Sequence, residues 1–233
     1  MEVAQFDMQR YLSMLPMFSN LSKPEREDLA ENCQLRRLNR GDMIFRAGEA
    51  CEEFNVIISG HVKLYVSSST GQEKVIELIG PGQSFAEAMM FLPKPHMLNA
   101  QTLTETLLMS ISKQAVFEEI ERDSRFSMHM LSGISSRMHR LLRDVESYAL
   151  HSGMQRLIGY LLRDVEDDNN TNNKGVLTVS LPVSKATIAS RLSLTPEYFS
   201  RVLHELEEES LIEIDKRDIH ILDVQRLASY GSH

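Results

Sequence analysis

Leu192-Ser193-Leu194-Thr195-Pro196-Glu197-Tyr198-Phe199-Ser200-Arg201-Val202-Leu203-His204-Glu205-Leu206 reads as a turn running into a helix. Thr195 carries an oxygen that can cap the first turn, and Pro196 falls at the first helical position, where a missing N–H costs nothing. Phe199, Val202, Leu203 and Leu206 recur at intervals of three and four, which predicts the buried stripe. Glu197, Ser200, Arg201 and His204 then fall toward the other side. An acidic acceptor, a hydroxyl and a guanidinium so close together suit the base edges of a DNA major groove. Upstream, Ser184–Leu192 makes a shorter helix with Ile188, Ala189 and Leu192 inward, and Ser193 and Leu194 make the turn. Two helices joined this way, the second presenting polar groups, form a helix-turn-helix. The plain alternative is an amphipathic helix with a solvated Glu and Arg.

The 233 residues leave room for two modest domains, each with its own core. Hydrophobic content of 42% and charged content of 25% are those of a soluble globular chain. No apolar run approaches the roughly 18 residues of a membrane span, and no signal segment opens the chain, so the cytoplasm is expected and no membrane partner. Cys33 and Cys51 are the only cysteines and form no C-x-x-C pair, which predicts reduced, packed thiols. The formal net charge of −8 is not that of a basic nucleic-acid binder, although a local basic patch suffices for contact with phosphate.

Residues 1 to about 38 read as helical: Met8, Leu12, Leu15 and Phe18 form a first apolar face, Ser22-Lys-Pro-Glu25 opens a second helix, and Leu29 and Leu35 pack inward. From Leu38 the pattern turns to short β-rich runs, Met43–Phe45, Phe54–Ile58, His61–Val66, Lys74–Leu78 and Thr106–Ile111, punctuated by glycine. Such spacing predicts a barrel, sandwich or jelly roll. A short helix, Ser112–Ile120, precedes a long one from Ser124 to His151. Within it Leu131, Ile134, Met138, Leu141, Val145 and Tyr148 alternate steps of three and four, the seam of a helix that pairs with a second copy. Arg137, Arg140 and Arg143 read as its solvated face. Gly153–Val165 predicts a further helix with Leu157, Ile158, Leu161 and Leu162 inward, and Glu166–Asn173 a polar loop. Val176–Leu181 reads as a strand. Leu211–Ile214 and Ile219–Leu222 flank Asp215-Lys-Arg-Asp218 as a hairpin, so the C-terminal unit is a winged helix. The fold class is α+β, with a sensor domain at 1–122, a dimerisation helix at 123–151 and a DNA-binding domain at 152–233.

The motifs carry a family resemblance. Glu197-x-x-Ser200-Arg201 is similar to the recognition helix of the Fnr branch of the Crp/Fnr family of bacterial transcription regulators. Gly41-Asp-x-Ile-Phe-x-x-Gly48-Glu, Ile58-x-Gly60-x-Val-x-Leu-Tyr and Gly80-Pro-Gly82 resemble that family's cyclic-nucleotide-binding β-roll. The resemblance implies a homodimer on double-stranded DNA that acts with RNA polymerase as an activator. It implies a TTGAT-type inverted repeat read by Glu197, Ser200 and Arg201. Lys185 and Arg191 are the nearest phosphate candidates; Lys216 and Arg217 suit either a phosphate contact or a solvated turn.

The resemblance also narrows the effector. Members that bind cyclic AMP offer it a Gly-Glu pair and an arginine; here Ala86-Glu87 replaces the first and no arginine lies between Arg46 and Arg122. A buried phosphate without that bidentate partner is heavily penalised, so cyclic AMP is not expected. Two cysteines cannot hold the cubane of the iron–sulfur members. Phe85-Ala-Glu-Ala-Met-Met-Phe91 resembles the dissimilative nitrate respiration regulators, which implies nitric oxide sensed through haem b and control of denitrification or nitrogen-oxide genes. Glu87, Met89, Met90, Phe91, His96 and His139 are the pocket residues so implied, with His139 the first candidate for the metal and His61 and His96 behind it. Taken by itself, the Met-Phe run reads first as plain core between the β-roll and the long helix. The alternatives are another small effector in the β-roll, or a cupin-like metal enzyme. The latter lacks clustered His and Glu ligands, and no nucleophile–base pair or phosphate loop is present, so an enzyme is not expected.

Overall fold

A computed structural model describes residues 6–18, 21–167 and 177–230. Asp7 caps helix α1 (Met8–Met14) by accepting the Arg10 backbone N–H at 2.9 Å, and a 3₁₀ turn, Pro16–Phe18, follows. Helix α2 (Lys23–Glu31) starts as its sequence requires: the Glu25 carboxylate accepts the Ser22 N–H at 2.6 Å, with Pro24 in the first turn. The next segment corrects the helical expectation. Cys33–Leu38 is strand β1, and Leu35 lies opposite Met109 in an antiparallel ladder with a strand at Thr106–Ser112. That partner is buried along nearly its whole length, so pairing overrides the local preference of Gln34-Leu35-Arg36-Arg37.

Strands β2 (Met43–Phe45), β3 (Glu53–Ser59), β4 (Val62–Ser67), β5 (Glu73–Ile79), β6 (Ser84–Phe85), β7 (Asn99–Thr102) and β8 (Thr106–Ser112) complete two four-stranded sheets, ordered β1-β8-β3-β6 and β2-β7-β4-β5. Side chains alternate along β3. Ile57 joins Val62, Leu64, Ile79, Phe85, Ala100 and Leu108 in one cluster. Phe54 and Val56 join Leu12, Phe18, Met109, Phe126 and Met130 in another, where helices cover the sheet. Helix α3 (Glu87–Met90) is a single turn after β6, α4 (Lys113–Arg122) is capped by Ser112, and α5 runs from Ser124 to Leu150.

Packing divides the chain into two units. The first holds residues up to Gln72 and Ile76–Leu141; the second holds Glu73–Val75 and Leu142 onward. The division falls inside α5 rather than at its ends. The second unit contains α6 (Gly153–Asp167), β9 (Leu177–Ser180), α7 (Lys185–Arg191), α8 (Pro196–Glu208), β10 (Ile212–Asp215), β11 (Asp218–Ile221) and α9 (Val224–Tyr230), with a sheet ordered β10-β11-β9. Leu157, Leu161, Ile188, Ala189, Phe199, Leu206 and Leu227 are fully buried in it. Of the polar loop expected at 166–173, Glu166 and Asp167 belong to α6 and 168–173 lie outside the described residues.

His96 stacks flat on Phe45, ring centroids 3.7 Å apart, and is buried. Burial lowers its pKa, against weaker opposition from Glu49 and Glu53. A histidine kept neutral in the fold takes up its proton more readily when unfolded. Its contribution is therefore present above about pH 6.5, the unfolded value, and is lost as pH falls toward the folded pKa. Denaturation at pH 7.5 and at 5.5 should show the parent losing more stability on acidification than His96→Gln; equal losses would remove His96 as a source.

Candidate functional site

The second unit builds a helix-turn-helix from local chemistry. Ser184 caps α7 by accepting the Thr187 N–H, and Thr195 caps α8 by accepting the Tyr198 N–H at 3.2 Å, with Pro196 at the first position. Each such cap contributes about 1 kcal/mol. Between the helices Ser193 adopts a left-handed backbone, φ +56°, and the Leu194 N–H donates to the Ala189 carbonyl at 2.9 Å. The turn is thus closed without glycine.

Phe199, Val202, Leu203 and Leu206 are all 1% exposed or less, as their spacing predicts, and Glu197, Ser200, Arg201 and His204 are all exposed. One residue not singled out by the sequence, Tyr198, holds this surface. The Arg201 guanidinium lies over the Tyr198 ring, 4.9 Å from its centroid, which restricts the most mobile of the outward side chains. Tyr198 and Leu194 in turn press on the start of α6. A Cβ on Gly153 would stand 2.6 Å from the Tyr198 ring and 2.8 Å from a Leu194 methyl, so glycine is required by that approach. The signal for Tyr198 is its place three residues before Arg201.

The phosphate candidates separate. Lys216 and Arg217 are exposed in the two-residue turn of the β10–β11 hairpin, and Lys185 is half-buried at the start of α7. Arg191 corrects the expectation: it is 7% exposed and donates to the Asp144 carboxylate and the Tyr148 hydroxyl. Its charge is spent inside the unit. Tyr148 donates to the Arg191 carbonyl, so it is a packing residue rather than an open seam position.

The apolar line that α5 leaves open also differs from the expected one. Leu131, Met138 and Val145 are 56%, 58% and 63% exposed, while Ile134, Leu141 and Tyr148 are half-buried. Met128, Ser135, Leu142 and Ala149 are exposed in their place. Met128-Leu131-Ser135-Met138-Leu142-Val145-Ala149 is itself a heptad line, sharing alternate members with the expected seam.

The first unit holds a cavity of about 400 Å³. Leu15, Phe18, Val56 and Ile79 form an apolar wall, and α5 supplies His129, Ser132, Gly133, Ser136, Arg137 and Arg140. Arg137 corrects the solvated-face expectation. Its side chain is 14% exposed; Nε and Nη2 donate to Glu77 at 2.9 and 2.6 Å, and Nη1 donates to Glu87 at 3.1 Å and to the Ser84 carbonyl at 3.2 Å. Burial opposes its charge, but the two carboxylates outweigh it and raise its pKa. Arg140 is largely exposed and reaches Glu77 at 3.5 Å, and Arg143 is exposed as expected. Ala86 takes the left-handed backbone, φ +73°, that suits the glycine of the resemblance.

Of the six expected pocket residues, Glu87 alone lines this cavity. Met90 is 1% exposed in the core and Met89 packs against the same cluster. Phe91 lies near Phe117, His96 lies on Phe45, and His139 is exposed on α5. The Met-Phe run is therefore core and surface rather than a cleft. Among the described residues no group of three or more His, Cys, Asp or Glu could hold a metal. Burial raises the Cys33 thiol to about 12 and raises that of Cys51, so both stay protonated and are poor ligands.

Residues 35–123 match the cyclic nucleotide-binding domain and residues 155–230 the Crp-like helix-turn-helix domain. The crystal structure of DNR from Pseudomonas aeruginosa is 32% identical, covering 97% of this chain and 99% of that one at a TM-score of 0.52. FixK2 from Bradyrhizobium japonicum, 19% identical, covers 84% and 96% at a TM-score of 0.73, a likeness of fold. The CRP-like cAMP-activated global transcriptional regulator of Mycobacterium tuberculosis is 24% identical over 221 residues, 95% of this chain and 98% of that protein.

Removing the counter-charge of a buried guanidinium is costly. Asp144→Asn should destabilise the second unit by about 3 kcal/mol. Arg163→Ala, which strips only a half-exposed partner 3.9 Å from Asp144, should cost under about 1 kcal/mol. Chemical denaturation followed by circular dichroism separates the two.

Proposed function

Because the chain belongs to the Crp/Fnr family of transcriptional regulators, we propose that it reads a TTGAT-type inverted repeat as a homodimer and answers a small effector in its sensor unit, for which the resemblance implies nitric oxide through haem b. Like its named relatives it regulates transcription through DNA rather than catalysing a reaction. The observation that carries the DNA reading is the joint exposure of Glu197, Ser200 and Arg201 on a capped helix whose opposite stripe is wholly buried. Arg201 can fork onto O6 and N7 of a guanine, Glu197 can accept from a cytosine amine, and Ser200 can take a base or a phosphate. Lys185, Lys216 and Arg217 supply the phosphate contacts that Arg191 does not.

The open heptad line on α5 supports pairing with a second copy, since a narrow apolar stripe on a long helix is covered by an identical helix. Two copies place two reading helices on half-sites about one helical turn apart, hence the inverted repeat. The protein acts in the cytoplasm, with RNA polymerase as a further partner and denitrification or nitrogen-oxide genes as targets.

The cavity as it stands does not fit haem b. Leu15, Phe18, Val56 and Ile79 are 7% exposed or less and offer a macrocycle almost no apolar face, and the rest of the lining is mainly polar or charged. Because α5 forms one side of the cavity, an occupant touches the helix that carries the seam. It switches the protein only if it binds the DNA-competent state more tightly than the other. Cyclic AMP fits poorly: Glu87, which the resemblance assigns to the ribose, is neutralised by the chain's own Arg137. A second reading, another small polar effector, draws on Gln83, Ser132 and Ser136 in the same lining.

Arg201→Ala should lose about 1–3 kcal/mol against a TTGAT-N4-ATCAA duplex and relax its G·C preference, measured by fluorescence anisotropy. Unchanged affinity would discard the base-reading role. Leu142→Glu places a charge on the open line and should give a monomer in sedimentation velocity; a dimer of parent stability would move the interface elsewhere.

A further inference from the structure

Arg201 is the longest of the three outward side chains on α8, and among the described residues it makes no hydrogen bond or ion pair. His204, one step further along, faces Glu207 and Glu208 at 3.7 and 3.2 Å. An unrestrained arginine has several rotatable bonds to order before it can fork onto a guanine, and that ordering opposes binding. On this helix one contact limits it. The guanidinium carbon lies 4.9 Å from the centre of the Tyr198 ring, three residues back on the same face. A guanidinium over a ring is held through its flat face. Its N–H groups lie in the plane of the cation and stay open to O6 and N7.

The half-buried Tyr198 is itself fixed from two sides. Its backbone N–H donates to Thr195 Oγ1 at 3.2 Å, so the residue belongs to the helix cap. Its ring lies so close to Gly153 that a Cβ there would stand 2.6 Å from a ring edge carbon and 3.1 Å from the carbon that bears the hydroxyl. Gly153 is a firm seat. Ser152 Oγ accepts the Gln155 N–H at 3.2 Å and Gln155 Oε1 accepts the Ser152 N–H at 2.7 Å, a reciprocal cap that fixes the first turn of α6 around the glycine.

We propose that Tyr198 is a positioning residue that sets base specificity: its ring, seated on Gly153, holds Arg201 in the orientation that forks onto guanine. The proposal rests on the base-reading role given to Arg201 above. The Glu197-x-x-Ser200-Arg201 pattern leaves position 198 open, so the motif alone does not assign it. The ring makes no base or phosphate contact of its own in this role. It acts through Arg201, so its loss is felt where a guanine is read and not on DNA at large.

Binding of the full chain is measured by fluorescence anisotropy on two duplexes: TTGAT-N4-ATCAA, and the same duplex with the G·C pair of each half-site changed to A·T. Tyr198→Leu should weaken binding to the first by about two- to fivefold, the range of an exposed cation–π contact, and leave the second unchanged. Tyr198→Phe keeps the ring and should match the parent on both. In an Arg201→Ala background, Tyr198→Leu should have no further effect, the mark of two residues acting as one unit. Where Tyr198→Leu departs from the parent circular dichroism, Tyr198→Met takes its place, filling the seat on Gly153 without a ring. Equal weakening on the two duplexes, losses that add to those of Arg201→Ala, or a loss in Tyr198→Phe would overturn the positioning role and leave the reading by Arg201 in place. A parent indifferent to the G·C change removes both.

Discussion

Two buried guanidiniums fasten α5 to what surrounds it. Arg137, on the helix, is held by Glu77 and Glu87 in the sensor unit, and Asp144, also on the helix, holds Arg191 in the DNA-binding unit. A buried pair of this kind adds little net stability compared with an apolar core. Loss of one member is a different matter, because it strands a charge at a cost of about 3–5 kcal/mol. Within each unit that contact goes with one rotation of α5 about its own axis, as do the buried Phe126 and Met130 in the first. That rotation determines which residues border the cavity and which form the exposed apolar line.

The same constraint explains how much was legible beforehand. The recognition helix was readable because its stripe, its cap and its proline are local, and nothing elsewhere in the chain competes with them. The strands at Met43–Phe45, Glu53–Ser59 and Thr106–Ser112 were readable because apolar runs end at turn residues. Strand β1 was not, since Cys33–Leu38 continues a helical segment without a break and becomes a strand only through its ladder with β8. On α5, a three-four alternation through Leu131, Met138 and Val145 can be completed by Ile134, Leu141 and Tyr148 or by Ser135, Leu142 and Ala149. Hydrophobicity favours the first set. In the fold the second set is exposed and the first half-buried, with Arg137 and Asp144 turned to their buried partners.

Arginine misled the reading twice, for one reason. A guanidinium beside a helical seam looks solvated, and one near a reading helix looks ready for phosphate. Arg137 and Arg191 have carboxylate partners sixty and forty-seven residues away in sequence, a separation no local pattern reveals. The His-Ser-Gly-Ser-Arg-Arg face of α5 was hidden likewise, being polar and so indistinguishable from solvated surface until the cavity lay beside it. The Met-Phe run after Glu87 was the opposite case: the resemblance made it a cleft lining, whereas Met90 fills the core and Phe91 is 40% exposed.

The chain thus brings together a surface that suits base pairs, a helix face that suits its own copy and a cavity whose wall is that helix. The most direct measurement is sedimentation velocity of the protein with a labelled duplex carrying two TTGAT half-sites in inverted array, set against a duplex with one half-site scrambled. Two chains bound to the intact duplex, and a clear loss of affinity on scrambling, is the result the account predicts. One chain per duplex, or equal affinity for the two duplexes, would contradict it.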